Sequence, residues 1–305
     1  MARKSFSGFL PPPKPAEEAR PSTLLTHFVA ATGEFVGTFL FLFFAFLGHM
    51  MSASQASDKG PNGAASAQTV IFISLSYGLS LLVTAWPFYR ISGAAFNPAV
   101  TLGLVLTGNM PAVRGIIYVP TQLLAGICAA AVAGNIVPGD IAATQTTLAD
   151  GMSVAQGLFL EMFLTCLLIL TILMLACEKG KQTFVAPLGI GMSLFVTQIA
   201  GVYYTGASLN PARSFGPCVA AAKFQGYHWI YWVGPALGAL IASGYYYFIK
   251  MLHYEFANPG QDGADGQFVF EASGDGKEKD LISLLSGGRG SAEQPEDSDR
   301  REAYP

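Results

Sequence analysis

The sequence predicts an all-α membrane protein, with six transmembrane helices and two re-entrant half-helices arranged as an inverted repeat. Three observations predict it: an apolar composition, six apolar stretches of about 20 residues, and two Asn-Pro-Ala motifs inside apolar sequence. Of the 305 residues, 51% are hydrophobic and 12% are charged, whereas soluble domains carry about 25% charged residues. The mean hydropathy is +0.42, which places the chain in the membrane class.

Six stretches are long enough to cross a hydrocarbon layer of about 30 Å, which requires a helix of about 20 residues. They cover residues 28–50, 68–88, 112–134, 153–176, 184–203 and 228–250. Two shorter apolar pieces cover residues 97–106 and 210–222. At 1.5 Å per residue these pieces reach about 15–20 Å, or half of a membrane. We therefore predict that each enters the bilayer and returns on the same side.

The two shorter pieces begin with a strong signal for a helix start. The motifs are Asn97-Pro98-Ala99 and Asn210-Pro211-Ala212. Asn is a favoured N-cap residue, and Pro is favoured at the first helical position because that position needs no N–H donor. A helix that starts inside a bilayer leaves N–H groups without a lipid partner. The pair of motifs therefore predicts a wet pore or a substrate site.

An internal repeat relates the two halves of the chain. The first span contains Glu34-x-x-x-Thr38 and the fourth contains Glu161-x-x-x-Thr165. An Asn-Pro-Ala motif follows 63 residues after the first glutamate and 49 residues after the second. Each half holds three spans, an odd number, so the second half must run inverted relative to the first. The half-helices are then predicted to meet N-terminus to N-terminus at the midplane.

The chain divides into a channel domain and two polar tails. We predict a Pro-rich cytoplasmic tail at residues 1–26, a channel domain at 27–252 with halves at 28–134 and 153–250, and an acidic, disordered cytoplasmic tail at 253–305. The last tail holds 12 of the 20 acidic residues and 5 of the 17 basic ones. Two readings of the first tail stay open, a disordered segment and a plug under the pore mouth.

Basic residues predict the orientation, because they accumulate in cytoplasmic loops. If six spans alternate, one side receives Arg3, Lys4, Lys14, Arg20, Arg90, Arg114, Lys179, Lys181 and Lys250. The other side receives Lys59 and Lys223. Both termini are therefore predicted to be cytoplasmic, and the plasma membrane is the expected location.

Three charged side chains lie deep within the apolar segments, where charges are costly and usually functional. Arg213 follows the second motif, and we interpret it as a cation barrier, the alternative being an Arg that snorkels to the surface. The other two are Glu34 and Glu161. The sequence contains no nucleophile–base pair, metal cluster or phosphate loop, so it predicts no enzyme, cofactor or metal. No basic stripe indicates nucleic acid. The cysteines fit small core residues.

The motifs resemble the aquaporin family, most closely its water-type fungal members. The resemblance covers about residues 28–250 and rests on motifs at both half-helices and in the long spans. These are Glu34-x-x-x-Thr38, residues 92–101, Gln122, Glu161, Thr205-Gly206 and residues 210–216. A paired Asn-Pro-Ala in inverted halves, with Arg after the second, is a specific signal. The resemblance implies that Glu34 and Glu161 are scaffold carboxylates that hold the loops before the half-helices.

The resemblance also implies a selectivity filter of four residues, placed by their spacing from the motifs: Tyr77, Gln198, Ala207 and Arg213. Gln198 stands where water-specific members usually have His, and Ala207 where Cys or Thr is common. Both departures imply a filter that is wider or differently polar than the strict water type. Ser214 stands where glycerol channels typically have Asp.

The expected function is therefore a passive channel that conducts water in single file, excludes protons and ions, and also passes hydrogen peroxide or other small neutral solutes. The expected partners are those solutes, the lipid bilayer and three further copies in a homotetramer. The alternative within channels is a broader glycerol- or urea-type facilitator. Two other classes of membrane protein fit the residues less well. An ion-coupled transporter would need acidic residues beside the half-helix starts, and a purely structural junction protein would not need a pore Arg.

Overall fold

The computed structural model describes residues 22–55, 66–178, 180 and 183–258, and this part of the chain is helical. The eight helices described are α1 Thr23–Ser54, α2 Ala67–Phe88, α3 Pro98–Leu106, α4 Ala112–Ile136, α5 Val154–Ile172, α6 Ala186–Thr205, α7 Pro211–Ala220 and α8 Ile230–Met251. A π-helical turn, Leu173–Cys177, extends α5, and 3₁₀ turns lie at Ile141–Thr144, Thr183–Val185 and Tyr254–Phe256. The predicted all-α architecture is confirmed.

Polar caps set several of the helix starts. The Ser22 hydroxyl accepts the N–H of Leu25, so α1 begins at Thr23, five residues before the expected span. Residues 22–26 are therefore the cap and first turn of a helix rather than part of a tail. Residues 1–21 of that tail and residues 259–305 of the acidic tail lie outside the described residues. The hypothesis of a plug under the pore mouth concerns residues in that first range.

Among the described residues, five helices are long and apolar enough to cross a membrane, whereas the sequence predicted six spans. The sixth, α8, has 22 residues, or about 33 Å at 1.5 Å per residue. Its tyrosines, its glycines and Lys250 lower its hydropathy. Its length and its packing along α5 make it the structural counterpart of α4, which packs along α1.

The packing follows a pseudo-two-fold axis that exchanges α1–α4 with α5–α8. Helix α1 packs on α2 and α4, and α5 packs on α6 and α8. Half-helix α7 lies against α4 of the other half, while α3 lies against α8. Helices α2 and α6 pack on each other across the axis. This arrangement is the inverted repeat that the motif spacing predicted.

The half-helices reach the centre because glycine lets backbones touch. A Cβ on Gly216 of α7 would lie 2.4 Å from the carbonyl oxygen of Gly126 in α4. A Cβ on Gly126 would lie 2.6 Å from the carbonyl oxygen of Ala212. No side chain fits at those distances, so glycine at both positions lets α7 press directly on α4.

Candidate functional site: the central channel

Each half-helix begins at an Asn-Pro-Ala motif, and the two beginnings are bonded to each other. The Oδ1 atom of Asn97 accepts the N–H two residues on at 2.8 Å, and Asn210 does the same at 2.9 Å. The Nδ2 atom of Asn97 donates to the carbonyl of Leu209 at 2.8 Å, and that of Asn210 donates to the carbonyl of Phe96 at 2.9 Å. These reciprocal bonds each use one of the two amide hydrogens.

The loops before the half-helices have the same unusual backbone. Counted back from each Asn, the positions at −4, −3 and −1 all have positive φ. They are Gly93 (91°), Ala94 (53°) and Phe96 (51°) in the first half, and Gly206 (81°), Ala207 (46°) and Leu209 (51°) in the second. A non-glycine residue in this region costs about 1–3 kcal/mol and persists only where its surroundings enforce it. Each loop therefore needs polar support.

A buried carboxylate supports the second loop. Glu161 of α5 has no exposed surface and accepts three hydrogen bonds. They come from the Thr205 hydroxyl at 2.7 Å, the Ser208 N–H at 2.8 Å and the Leu209 N–H at 2.9 Å. Two of these donors are backbone groups of the strained loop, which leaves the loop carbonyls free for other partners.

The first loop has an equivalent support with an added amide. Glu34 of α1 is fully buried, and its Oε1 atom accepts the Phe96 N–H and the Nε2 atom of Gln122, the latter at 2.7 Å. The same Gln122 nitrogen donates to the Thr101 hydroxyl in α3 at 2.8 Å. A single amide thus links α1, α4 and the first half-helix.

Two tyrosines fix the outer ends of the loops in matching positions. The Tyr118 hydroxyl donates to the carbonyl of Ser92 at 2.6 Å, and the Tyr231 hydroxyl donates to the carbonyl of Thr205 at 2.9 Å. Ser92 and Thr205 each lie five residues before an Asn of the motif, and both tyrosines are fully buried. Their matching contacts were missed from the sequence, although both lie in predicted spans.

Arg213, the third residue of α7, lies inside the protein with 1% of its surface exposed. Its Nη1 atom donates to the carbonyl of Thr144 at 2.6 Å, and its Nη2 atom donates to the carbonyl of Gly206 at 3.4 Å. Its Cζ atom lies 4.7 Å from the centre of the Tyr77 ring. Two backbone carbonyls and the face of an aromatic ring stabilise this cation.

Tyr77 and Gln198 join Arg213 at the channel, whereas the Ala207 side chain does not line it. The Tyr77 hydroxyl hydrogen-bonds to Nδ1 of His49 in α1 at 3.3 Å. The Gln198 amide donates to the carbonyl of Ala207 at 2.8 Å. Ala207 itself is fully buried and its Cβ packs towards Gly201 of α6. Its contribution at this point is therefore a backbone carbonyl bonded to Gln198.

A narrow cavity runs between the halves and past these groups. About 40 Å³ is accessible to the centres of water molecules, and one molecule needs about 10–15 Å³ by that measure. Polar side chains at the cavity are those of Tyr77, Tyr89, Asn97, Gln198, Ser208, Asn210 and Arg213. Most of the remaining wall is apolar, and it includes Ala85, Val100 and Ile190. The cavity admits a short file of small molecules.

The cavity widens towards the face where α1 begins and α8 ends, which we call the terminal face. A vestibule of about 450 Å³ lies there. It shares Tyr89, Gly93 and Leu104 with the narrow cavity, and it is lined by Arg90 and Arg114. Two cations at this opening give it a positive potential, which disfavours the approach of other cations.

A polar cluster ties α5 to α8 at the terminal face. Glu178 accepts hydrogen bonds from Tyr246, from Lys250 at 3.1 Å and from Tyr254 at 3.1 Å. Lys250 also pairs with Glu255 at 2.9 Å. Burial raises the pKa of Glu178, but the hydrogen bonds and the Lys250 charge outweigh it and hold that pKa below its usual value of 4.5. Sequence analysis missed this cluster because its members are distant in the chain.

No group of three or more His, Cys, Asp or Glu side chains that could hold a metal occurs in the described part of the chain. The remaining motif residues, Pro98, Ala99, Pro211 and Ala212, are buried at the first positions of α3 and α7. His49 and Thr144 contact the channel residues and were not foreseen. A histidine inside a predicted span was the available signal for the first.

Comparison with known proteins identifies the family. The major intrinsic protein model matches residues 21–247. The chain belongs to the major intrinsic protein family. "Probable aquaporin-3" of Gibberella zeae is 54% identical over 236 residues, which cover 77% of this chain and 82% of that protein. Aquaporin-7 of Botryotinia fuckeliana is 55% identical over 239 residues, covering 77% of this chain and 52% of that relative, so the match spans about half of its length.

A solved structure supports the fold. The aquaglyceroporin from Plasmodium falciparum aligns with a TM-score of 0.60 and 22% identity, covering 74% of this chain and 99% of that one. As a member of the major intrinsic protein family, this chain is an integral multi-pass membrane channel for water or small neutral solutes. It is not an enzyme.

Proposed function

We propose that this major intrinsic protein is a passive water channel that conducts in single file, excludes ions and protons, and also passes hydrogen peroxide or other small neutral solutes. The observation that carries the proposal is the narrow cavity, whose 40 Å³ of water-accessible space holds only a few molecules in a row. Arg213 and both motif asparagines lie along that row.

Proton exclusion follows from the asparagine geometry. Asn97 and Asn210 each commit one amide hydrogen to the opposite loop, and an amide carries two. The remaining hydrogens are donors to the oxygen of a passing water. A water that accepts twice must direct its own hydrogens outward along the file, and it cannot accept a proton from a neighbour. The proton wire is interrupted at that point.

Ion exclusion follows from fixed positive charge. The N-termini of α3 and α7 meet at the midplane, and each carries about half of a positive elementary charge. Arg213 adds a full charge, and its guanidinium lies beside the Tyr77 ring. Cations meet this potential without a carboxylate in the wall to offset it, because Glu161 and Glu34 are bonded to the loops. The two glutamates serve as scaffold.

The solute range depends on Gln198 and the loop carbonyl of Ala207. These two groups bond to each other, and the buried Oε1 atom of Gln198 has no hydrogen-bond partner among the described residues, so it is left as an acceptor at the cavity wall. Ser214 bonds to Ser208 at 2.6 Å and to Thr146 at 2.9 Å, which commits it to loop packing. A hydroxyl there brings no charge to bind polyols. These features favour water and peroxide over glycerol.

We further propose that the terminal face is cytoplasmic, that the channel lies in the plasma membrane, and that four copies assemble. Arg90 and Arg114 line the vestibule on that face, in agreement with the excess of basic residues in cytoplasmic loops. Large apolar side chains such as Val83, Ile116 and Phe163 are exposed on the outer surfaces of the helices. Lipid and neighbouring copies would cover them.

Reconstitution tests the proposal. Vesicles that contain the full chain should shrink faster under a sucrose gradient than empty vesicles, with a low activation energy, no saturation and no dependence on proton or sodium gradients. Glycerol and urea gradients then separate the water channel from the broader facilitator. Shrinkage equal to that of empty vesicles would contradict the channel. Glycerol flux as fast as water flux would favour the broader glycerol- or urea-type facilitator over the water channel.

A further inference from the structure

We propose that His49 is a positioning residue of the selectivity filter: through its hydrogen bond it holds the Tyr77 ring against Arg213 and thereby sets which solutes pass. The inference rests on the proposed function of Arg213 and Tyr77 as filter residues. His49, in α1, is fully buried. It is not among the residues that line the cavity, and it contacts Tyr77 of α2 from behind.

The Tyr77 ring is held from three directions. Its hydroxyl bonds to His49 Nδ1 at 3.3 Å. The Phe46 ring lies edge-on to it, with centroids 6.4 Å apart and planes at 80°. Arg213 lies 4.7 Å from its centroid, within the 6 Å range over which a cation is attracted to an aromatic ring. Of the three contacts, only that with His49 fixes the polar end of the ring.

Ring orientation matters because the attraction is directional. The negative potential of an aromatic ring lies over its face, so a rotated ring loses its hold on the guanidinium. Tyr77 is 1% exposed, and a buried phenol hydroxyl needs a hydrogen-bond partner. His49 supplies that partner, and the bond fixes where the ring can stand. Side chains of a working site are held in place by such supporting contacts.

The helix packing at this point is adapted to the contact. His49 and Tyr77 are flanked by Gly48 in α1 and Ser76 in α2. A Cβ on Gly48 would lie 2.1 Å from the Ser76 hydroxyl oxygen. Glycine at 48 therefore permits the close approach of the two helices that brings the imidazole within reach of the phenol.

The fold itself does not require this pair. By the repeat, the counterpart of His49 lies 15 residues after Glu161 and is Ala176, and the counterpart of Tyr77 lies 20 residues before Asn210 and is Ile190. Both counterparts line the cavity, and neither can form a histidine–tyrosine bond. The pair occurs only in the half-channel where Arg213 lies, which ties it to selectivity rather than to packing.

The test uses the full chain in vesicles, with water permeability measured under sucrose and urea permeability under a urea gradient. We expect His49→Ala and Tyr77→Phe each to raise the ratio of urea to water permeability about fivefold, which is about 1 kcal/mol at 1.4 kcal/mol per tenfold change. The double variant should show no further increase, because both changes remove one bond. His49→Gln, which keeps a polar group, should stay within about twofold of the unsubstituted chain.

Ser52→Ala is the matched control, since Ser52 is a buried polar residue of α1 whose hydroxyl bonds only to the Gly48 carbonyl of its own helix among the described contacts. Its ratio should not change. An unchanged ratio in both single variants, or a double variant that multiplies their effects, overturns the proposal. If His49→Ala does not fold, Tyr77→Phe decides alone. Absence of water flux in the unsubstituted chain would instead reject the proposed function.

Discussion

The two halves of the channel share a backbone and differ in the side chains they place along it. Both halves show the same sequence of positive φ angles before the Asn, the same carboxylate, the same tyrosine bond and the same crossed amide bond. The positions that bear Tyr77, Gln198 and Arg213 in one half of the pore bear Ile190, Ala85 and Val100 in the other, and all six line the cavity.

This difference separates architecture from selectivity. The repeated contacts build two half-helices and hold their loops, and they need to be alike because the backbone geometry is alike. The polar constriction occurs once, on the side away from the terminal face, while its mirror positions form an apolar wall. Under the proposed function, one charged constriction is sufficient to exclude ions, and a second would slow water by offering further binding groups.

Arg213→Ala removes the charge that distinguishes the two halves and makes this position apolar, like its counterpart Val100. A unit charge at about 4 Å contributes about 4 kcal/mol at an effective dielectric constant of 20, so cation or proton leak should rise by about two to three orders of magnitude. Fluorescent pH dyes inside vesicles measure it. Lys223→Ala, an exposed cation outside the cavity, is the control. A leak that stays at the control level would remove Arg213 from the barrier.

Replacing each buried carboxylate in turn tests whether the two loops depend equally on their glutamates. Glu161 accepts two backbone N–H groups, whereas Glu34 accepts one and a Gln122 amide that also bonds to Thr101. An orphaned buried donor costs about 1–3 kcal/mol. We expect Glu161→Ala, which orphans two backbone N–H groups, to lower stability by about 2–6 kcal/mol, and Glu34→Ala, which orphans one, by about 1–3 kcal/mol. Thermal unfolding in detergent gives both values, and a larger loss for Glu34→Ala would contradict this ranking.

Gln198→Ala gives α6 the same residue that α2 has at the equivalent position, because Ala85 is the counterpart of Gln198 in the first half. The bond to the Ala207 carbonyl is lost and the passage widens, so the ratio of urea to water permeability should rise about threefold, or about 0.7 kcal/mol. Thr197→Val is the control, since the Thr197 hydroxyl bonds to its own helix at Ser193. If both variants give the same ratio, Gln198 has no part in selection.

Tyr118 and Tyr231 are expected to stabilise their two loops equally, because each donates one hydrogen bond to the matching loop carbonyl. Tyr118→Phe and Tyr231→Phe each remove one hydroxyl bond to a loop carbonyl, a loss of about 1 kcal/mol. Unfolding midpoints in detergent should fall by the same amount in both variants. A difference larger than about 1 kcal/mol would mean that the two loops are not equally supported.

The smallest effect concerns the Glu178 cluster, which has no counterpart in the first half. Because the pKa of Glu178 is lower in the folded protein than its usual value of 4.5, the bonds stabilise the fold above that value and are lost as the pH falls through the folded pKa. For a partly exposed pair we expect less than about 1 kcal/mol. The stability gap between the unsubstituted chain and Glu178→Gln should be full above the usual pKa of 4.5 and should close as the pH falls below it. A gap independent of pH would exclude the carboxylate charge as its cause.

The amino-acid sequence alone determined the helices, the repeat and the half-helix starts. The patterns that predicted them are local and can be read from the sequence directly. They are the lengths of the apolar stretches, the two Asn-Pro pairs and the two glutamates that lie four residues before a threonine. The sequence also placed Arg213 and both scaffold glutamates, because a charge within an apolar segment stands out. The sequence predicted the span at residues 228–250 as well, although α8 is less apolar than the five described helices that meet the hydropathy criterion, because tyrosines and glycines interrupt it.

The contacts between distant segments became visible when the helices were packed together. The packing joined Asn97 to Leu209 and Asn210 to Phe96, brought His49 to Tyr77, and turned the Ala207 side chain towards Gly201 rather than into the channel. Spacing from a motif fixes a position along the backbone, but a positive φ decides where the Cβ points. Long-range partners depend on how helices approach each other, and that approach is set by glycine contacts such as Gly126 with Gly216, which no local pattern encodes.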